Sequence, residues 1–237
     1  VMSKFDLNLP QGILSLCQFK QEKIIVVAGG RRPEMAWLKE AASLKRIFCA
    51  DHGIDYCYEA GILPDFLYGD RDSASQENWL LAQNDGAKIK TFAREKDDTD
   101  LQLLLKEIPE NSCVLATGIW GGRFDHLYAN IFSLLACKKQ KDAAIILADH
   151  EEIMVLLGAG EKVTFVPTQK PTEISLLPFA SESRVSISGV KWPLNAAILS
   201  QNHPYAISNE LIAEEVTAGC ESGFSGFYLK FMKNISR

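Results

Sequence analysis

No basic block, no long apolar run and no paired cysteine motif stands out in this chain of 237 residues. Lys and Arg number 25 against 30 Asp and Glu, a net charge of −5, and they are dispersed. A nucleic-acid backbone is therefore not an expected partner. No apolar stretch nears the ~20 residues that span a bilayer, so no membrane partner is expected either. The six cysteines (Cys17, Cys49, Cys57, Cys113, Cys137 and Cys220) include no C-x-x-C pair. That spacing would mark a zinc or dithiol centre. Several lie in apolar runs such as Arg46 to Ala50, as buried free thiols of a reducing compartment do. Val1 to Pro10 lacks the basic-then-apolar order of a signal peptide, and the cytoplasm is the expected location. His52, His150 and His203 have no ligand-like spacing, so no role is assigned to them.

What is present is an ordinary globular composition, 47% hydrophobic and 23% charged. It is enough to bury a sizeable core. In the first part, apolar runs alternate with amphipathic stretches. Strands are expected over 24–28, 46–50, 66–68, 88–91, 114–117 and 143–148. Helices are expected from Pro33 to Leu44, over 54–60, after a cap at Ser73 or Ser75, over 97–108 and over 124–137. This alternation implies an α/β fold with a mostly parallel, Rossmann-like sheet. Beyond residue 150 the helices stop. Short strand-like segments at 153–157, 162–166, 173–177, 184–188 and 226–231 are punctuated by Gly and Pro, as in a small all-β sandwich. The expected domains are 1–149 and 150–237.

Ligands of open α/β sheets bind outside the carboxyl ends of the strands. Polar residues gather at those expected ends: Gly29 and Gly30; Asp51; Asp70 and Asp72; Gly121, Gly122, Arg123, Asp125 and His126. Asp97, Thr99 and Asp100 stand at an expected helix start, where Asp97 and Asp100 would share a face. A lone Asp-x-Asp is often only a solvated turn. Several carboxylates converging on one sheet edge suit Mg²⁺, which takes hard oxygen ligands and keeps substrate phosphates in its octahedron. Gly121-Gly122-Arg123 before a helix suits an anion, through approachable backbone N–H groups and a guanidinium fork. The loop is neither a Walker A sequence nor a G-x-G-x-x-G fingerprint. Trp192 is a candidate for stacking on an aromatic ligand, although a tryptophan in a β-rich domain is more often core. Ser208-Asn209-Glu210 by itself reads as a turn.

At these residues the chain resembles the thiamine pyrophosphokinases of bacterial type. Ala50-Asp51-His52-Gly53 is similar to the family's A-D-G-G, and Gly69-Asp70-Arg71-Asp72-Ser73 to its G-D-F-D-S. Asp97-Asp98-Thr99-Asp100 is similar to D-x-T-D, and Gly118 through His126 to G-x-x-G-G-R-x-D-H. Ile174 to Pro178, Gly189 to Leu194 and Ser208-Asn209-Glu210 resemble the later I-S-L-L-P, G-x-x-W-x-L and S-N-E. Arg71 and His52 depart from the pattern without removing a carboxylate. The resemblance implies diphosphoryl transfer from ATP to the hydroxyl of thiamine. It implies Mg²⁺ held by Asp70, Asp72 and Asp100, with Asp51 and Asp97 nearby, and triphosphate bound by Arg123. It implies that Trp192 stacks on thiamine while Ser208 and Asn209 fix its polar edge. It also implies a homodimer with thiamine bound between the catalytic domain of one subunit and the β domain of its partner. Alternatives are a magnesium-dependent nucleotidyl-sugar enzyme, transfer to another hydroxymethyl heterocycle such as a pterin, and a non-catalytic thiamine or nucleotide sensor. The first would need only Asp70-x-Asp72, the second would change the acceptor pocket, and the third would release no AMP.

Overall fold

The computed structural model describes residues 5–17, 22–69, 74–92 and 97–232, which form two compact units. One unit runs from Lys20 to Asp149. It holds β3 (Glu22–Val27), α1 (Met35–Ala42), β4 (Arg46–Ala50), α2 (Gly53–Glu59) and β5 (Phe66–Gly69). After these come α3 (Gln76–Asn84), β6 (Lys88–Thr91), α4 (Asp100–Lys106), β7 (Ser112–Thr117), α5 (Phe124–Lys141) and β8 (Ala144–Ala148). The strands pair in the order β8-β7-β3-β4-β5-β6, all parallel. Central strands are apolar throughout: Ile24 to Val27 and Val114 to Ala116 are fully buried, as parallel strands covered on both faces must be. The edge strand β6 is instead largely exposed and carries Lys88 and Lys90, charges that blunt a free edge.

The order reverses between β3 and β7, so a crevice opens at their carboxyl ends. Two glycines allow close approaches at the strand ends. Gly118 closes β7 at φ +65°, and a Cβ there would collide with the Ala28 carbonyl oxygen. Gly69 closes β5, where a Cβ would collide with Oδ1 of Asp51.

The other unit combines residues 150–237 with the amino-terminal segment. Its strands are β1 (Phe5–Leu9), β2 (Gly12–Leu16), β9 (Glu152–Gly158), β10 (Glu161–Pro167), β11 (Glu173–Pro178), β12 (Glu182–Ser188), β13 (Leu194–Ser200), β14 (Val216–Ser222) and β15 (Phe224–Lys230). Six pair in the order β1-β2-β10-β14-β12-β13, and β11, β15 and β9 pair with one another, all antiparallel. The single division at residue 149 therefore needs amending for the first strands. Residues 5–9 and 12–16 form a hairpin whose second strand lies against β10, which returns them to the carboxyl-terminal unit. The cause is visible in the residues: Phe5, Leu7 and Leu9 alternate with polar neighbours, so one face of the hairpin needs a sheet to cover it. Leu14, Val163, Phe165, Val216 and Phe227 are fully buried in this unit.

Candidate functional site

The loops that follow the parallel strands enclose a cavity of about 980 Å³. Gly29, Gly30, Asp51, His52, Asp98, Thr99, Asp100, Gly121, Gly122, Arg123, Asp125 and His126 all line it. Its floor is backbone. Ala28 donates its N–H to the Thr117 carbonyl at 2.9 Å, Gly30 donates to Gly118 at 2.6 Å, and Arg31 donates to Trp120. These bonds zip the loop after β3 to the loop after β7. Arg31 then reaches the fully buried Asp149 at the end of β8, with Nε 2.7 Å and Nη2 2.6 Å from Oδ2. From the other side, Tyr56 donates its hydroxyl to the Gly30 carbonyl at 2.9 Å.

Asp51 follows β4 in the left-handed region, at φ +46°, with its N–H donated to the Tyr68 carbonyl at 2.9 Å. Its carboxylate lies where Gly69 lacks a side chain. Asp100 is the first residue of α4 and only 8% exposed. A capping box fixes it there: Thr99 Oγ1 accepts from the Gln102 N–H at 3.2 Å, and Gln102 Oε1 accepts from the Thr99 N–H at 2.8 Å. This cap corrects the expected helix start at residue 97. Asp97 stands before the N-cap, is exposed, and shares no helix face with Asp100; Asp98 lines the cavity instead and pairs with Lys106 at 2.6 Å.

Gly121 and Gly122 take φ of +70° and +67° ahead of Arg123, the N-cap of α5. The Arg123 guanidinium lies against Asp125, with Nε 3.1 Å from Oδ1. That hydrogen bond is the main cause that holds the Asp125 carboxyl below its ordinary range and raises the Arg123 guanidinium above its own. Both side chains are exposed, so the arginine is free to exchange this partner for an anion. Asp70 and Asp72, and Arg71 between them, lie outside the described residues. Among the described residues no three metal-ligating side chains converge.

A second, smaller pocket of about 200 Å³ lies within the antiparallel unit, lined by Ile174, Leu176, Trp192, Tyr205, Ile207 and Asn209 among others. Trp192 is 54% exposed, so it is not the core residue that tryptophan usually is. Asn209 sets its position. The Asn209 side chain accepts from the Trp192 N–H at 3.1 Å and donates to the Trp192 carbonyl at 2.7 Å. Its backbone bridges to Ile174, with N–O distances of 2.7 and 3.0 Å. Ser208, at φ +57°, donates its N–H to Ser175 Oγ at 3.2 Å and does not line the pocket. Asn209 thus acts first on the tryptophan, a role its sequence position did not announce. Tyr205 and Ile207 carry no motif and were missed by sequence reasoning. So was Tyr56, and the only sign of His52 was its place in a position where the resembling family has glycine.

Comparison with known proteins matches two family models. Residues 38–147 match the thiamin pyrophosphokinase catalytic domain, and residues 160–224 match the thiamin pyrophosphokinase vitamin B1 binding domain. A thiamine pyrophosphokinase of Bacillus subtilis is 29% identical over 206 residues, covering 84% of this chain and 94% of that protein. A rice thiamine pyrophosphokinase is 30% identical over 166 residues, covering 65% of this chain and 61% of the rice protein. In fold, the crystal structure of the Bacillus subtilis thiamine pyrophosphokinase superposes with a TM-score of 0.76 at 24% identity, covering 89% of this chain and 100% of that one.

Proposed function

Because the chain belongs to the thiamin pyrophosphokinase family, we propose that its two cavities divide one reaction between them. The chain is an ATP:thiamine diphosphotransferase: it moves the diphosphoryl group of ATP onto thiamine, giving thiamine diphosphate and AMP. One observation carries the division of labour. The large cavity, with its glycine loops, carboxylates and Arg123, lies in the unit that holds the catalytic match. The pocket with the exposed, backbone-pinned Trp192 lies in the unit that holds the vitamin B1 binding match. We read the parallel sheet as Rossmann-like and the antiparallel unit as a β-sandwich.

In this reading the thiamine hydroxyl oxygen bonds to the β-phosphorus and its proton passes to water, the bond from the β-phosphorus to the α,β-bridging oxygen breaks, and that oxygen leaves with AMP. Backbone N–H groups at Gly29, Gly121 and Gly122 approach the phosphates closely, while Gly30, whose N–H is taken by Gly118, lets the chain pass close beneath them. Arg123 leaves Asp125 to hold triphosphate oxygens, and Asp125 and His126 border the nucleotide. Thr99 keeps Asp100 at the cavity wall. Trp192 stacks on the thiamine ring, and Asn209 keeps that indole in place.

The donor chemistry fits magnesium. Asp100 offers a nearly buried carboxylate, Asp51 offers one over the Gly69 cradle, and Asp70 follows Gly69 directly in the chain. Asp70, Asp72 and Asp100 would hold the ion, with Asp51 and Asp97 nearby. Bound there, Mg²⁺ neutralises charge that builds on the phosphoryl groups.

A homodimer accounts for apolar surface beside both sites. On α5, Phe124 (76% exposed), Tyr128 and Phe132 form a ladder of rings with centroids 6.3 and 4.7 Å apart. Trp192, Ile207 and Ile212 are likewise exposed on the antiparallel unit. Such patches are what a subunit interface covers. Six cysteines, none of them in a disulfide, support a cytoplasmic setting.

The test is direct. Protein is incubated with ATP, Mg²⁺ and thiamine, and AMP and thiamine diphosphate are measured together. Equimolar, thiamine-dependent formation of both, abolished by EDTA, is expected. Thiamine binding without AMP release would mark a sensor instead.

A further inference from the structure

His52 is held in two ways at the wall of the nucleotide cavity. Its Nδ1 lies 2.8 Å from Oδ2 of Asp55, one turn along α2. Its ring meets that of Tyr56 edge to face, with centroids 4.9 Å apart and planes at 81°. Asp55 is itself fixed: it is nearly buried and accepts hydrogen bonds from the Ser75 N–H at 3.1 Å and from Nδ2 of Asn78 at 2.6 Å. Tyr56 is fixed too, by its bond to Gly30. The imidazole therefore has a set orientation, while its side chain stays 41% exposed and lines the cavity.

A carboxylate can only accept, so Nδ1 carries the hydrogen of this pair, and Nε2 is an acceptor whenever the ring carries a single hydrogen. Phosphate oxygens are acceptors as well and make poor partners for it. The donors of ATP all lie on its nucleoside half: the ribose hydroxyls and the purine amino group. We propose that His52 is a nucleotide-specificity residue, whose Nε2 accepts a hydrogen bond from the nucleoside half of ATP, and that Asp55 is the positioning residue that aims it. Neither side chain belongs to the motifs that tie this chain to its family: His52 stands where that pattern has glycine. The proposal rests on ATP being the co-substrate.

The test measures binding of α,β-methylene-ATP with Mg²⁺ by calorimetry, since that analogue cannot break at the α,β bridge. His52→Gly is expected to weaken it about three- to tenfold, the range of one hydrogen bond. Inorganic tripolyphosphate should bind both proteins alike, and the melting temperature should hold. Asp55→Asn should give part of the same loss in the wild-type background and no further loss beside His52→Gly, because its effect runs through the imidazole. Among analogues lacking the 2′-hydroxyl, the 3′-hydroxyl or the purine amino group, one should bind wild type more weakly yet bind His52→Gly no worse than the parent analogue does. Equal affinity of wild type and His52→Gly for α,β-methylene-ATP would overturn the inference alone. Weaker tripolyphosphate binding by the variant would overturn the nucleoside assignment. If wild-type protein binds no α,β-methylene-ATP, the co-substrate reading fails first and the inference with it.

Discussion

The two cavities are built by opposite means. In the parallel unit the site consists of loop backbone and charge. Glycines line it, three hydrogen bonds tie the loops after β3 and β7, and the carboxylates of Asp51 and Asp100 stand in its wall. In the antiparallel unit the pocket is largely apolar. A non-strand segment, bridged to Ile174 through Asn209, holds a single indole in the open. The first arrangement suits an anion, whose charge needs many oriented dipoles. The second suits a flat aromatic ring, which needs one face and an exclusion of water. The contrast implies that mutations should separate cleanly into effects on phosphate chemistry and effects on acceptor binding.

The strongest way to break that comparison is Asp100→Asn. It keeps shape and cap while removing a charge from the cavity wall. Turnover is expected to fall about a hundred- to a thousandfold, as when one preorganised electrostatic group is removed. The melting temperature should move by only about 2–4 °C, the equivalent of roughly 1 kcal/mol at this chain length. Steady-state kinetics and a thermal melt decide it, and an unchanged turnover would remove Asp100 from the mechanism.

Next in size is a pair of tryptophans. Trp192→Ala should raise KM for thiamine about tenfold, within the range of a lost stacking contact, and leave KM for ATP and stability nearly unchanged. Trp79, only 2% exposed within the parallel unit, is a packing residue. Trp79→Ala should destabilise by about 3–5 kcal/mol through the cavity it leaves. Similar melting losses in the two variants would erase the distinction between them.

Arg123 supplies a smaller effect. Arg123→Met should raise KM for ATP about tenfold, and Arg123→Lys should recover only part of it, since an ammonium lacks the planar fork that grips phosphate oxygens. Full recovery by lysine would mean that charge alone matters at this position.

How much of this was legible in the sequence follows the same contrast. The parallel strands were readable because burial on both faces leaves unbroken runs such as Ile24 to Val27. Strand β6 was found at its own bounds, and Ser75, one of two expected caps, accepts the Asn78 N–H. The antiparallel unit was harder. Strand β13, at a sheet edge, has half-exposed positions along much of its length and no clear period of two. The interior strand β14 does alternate, with Val216, Ala218 and Cys220 inward, but offers only short side chains and a glycine as signal. The β1–β2 hairpin did alternate, but its partner β10 lies far along the chain, and no local pattern announces that pairing. At the site, residues on motif loops were legible because each motif names a strand end. His52, Asp55 and Tyr56 were not, because their roles arise from contacts between side chains and with Gly30.

The last prediction concerns alkaline pH and sharpens the comparison at the level of the two cores. Burial pushes the Tyr68 hydroxyl from 10.0 up to about 12 and the Cys137 thiol from 9.0 up to about 11, and it drives the Cys49 thiol well above its ordinary value. All three lie in the parallel unit. A neutral group whose folded value is raised releases its proton first in the unfolded chain. The stability it contributes is therefore complete below the unfolded value and is lost as pH rises toward the folded one. For Cys137 that window runs from 9.0 to about 11, and for Tyr68 from 10.0 to about 12. The parallel unit should accordingly loosen before the antiparallel unit between those limits, visible as earlier amide exchange in β5 and α5 than in β10 and β14. Tyr68→Phe should remove the tyrosine's part of that pH dependence, so that its melting temperature falls less steeply than wild type's above pH 10.0. Simultaneous loosening of both units, with Tyr68→Phe as steep as wild type, would show that alkaline stability is set elsewhere in the molecule.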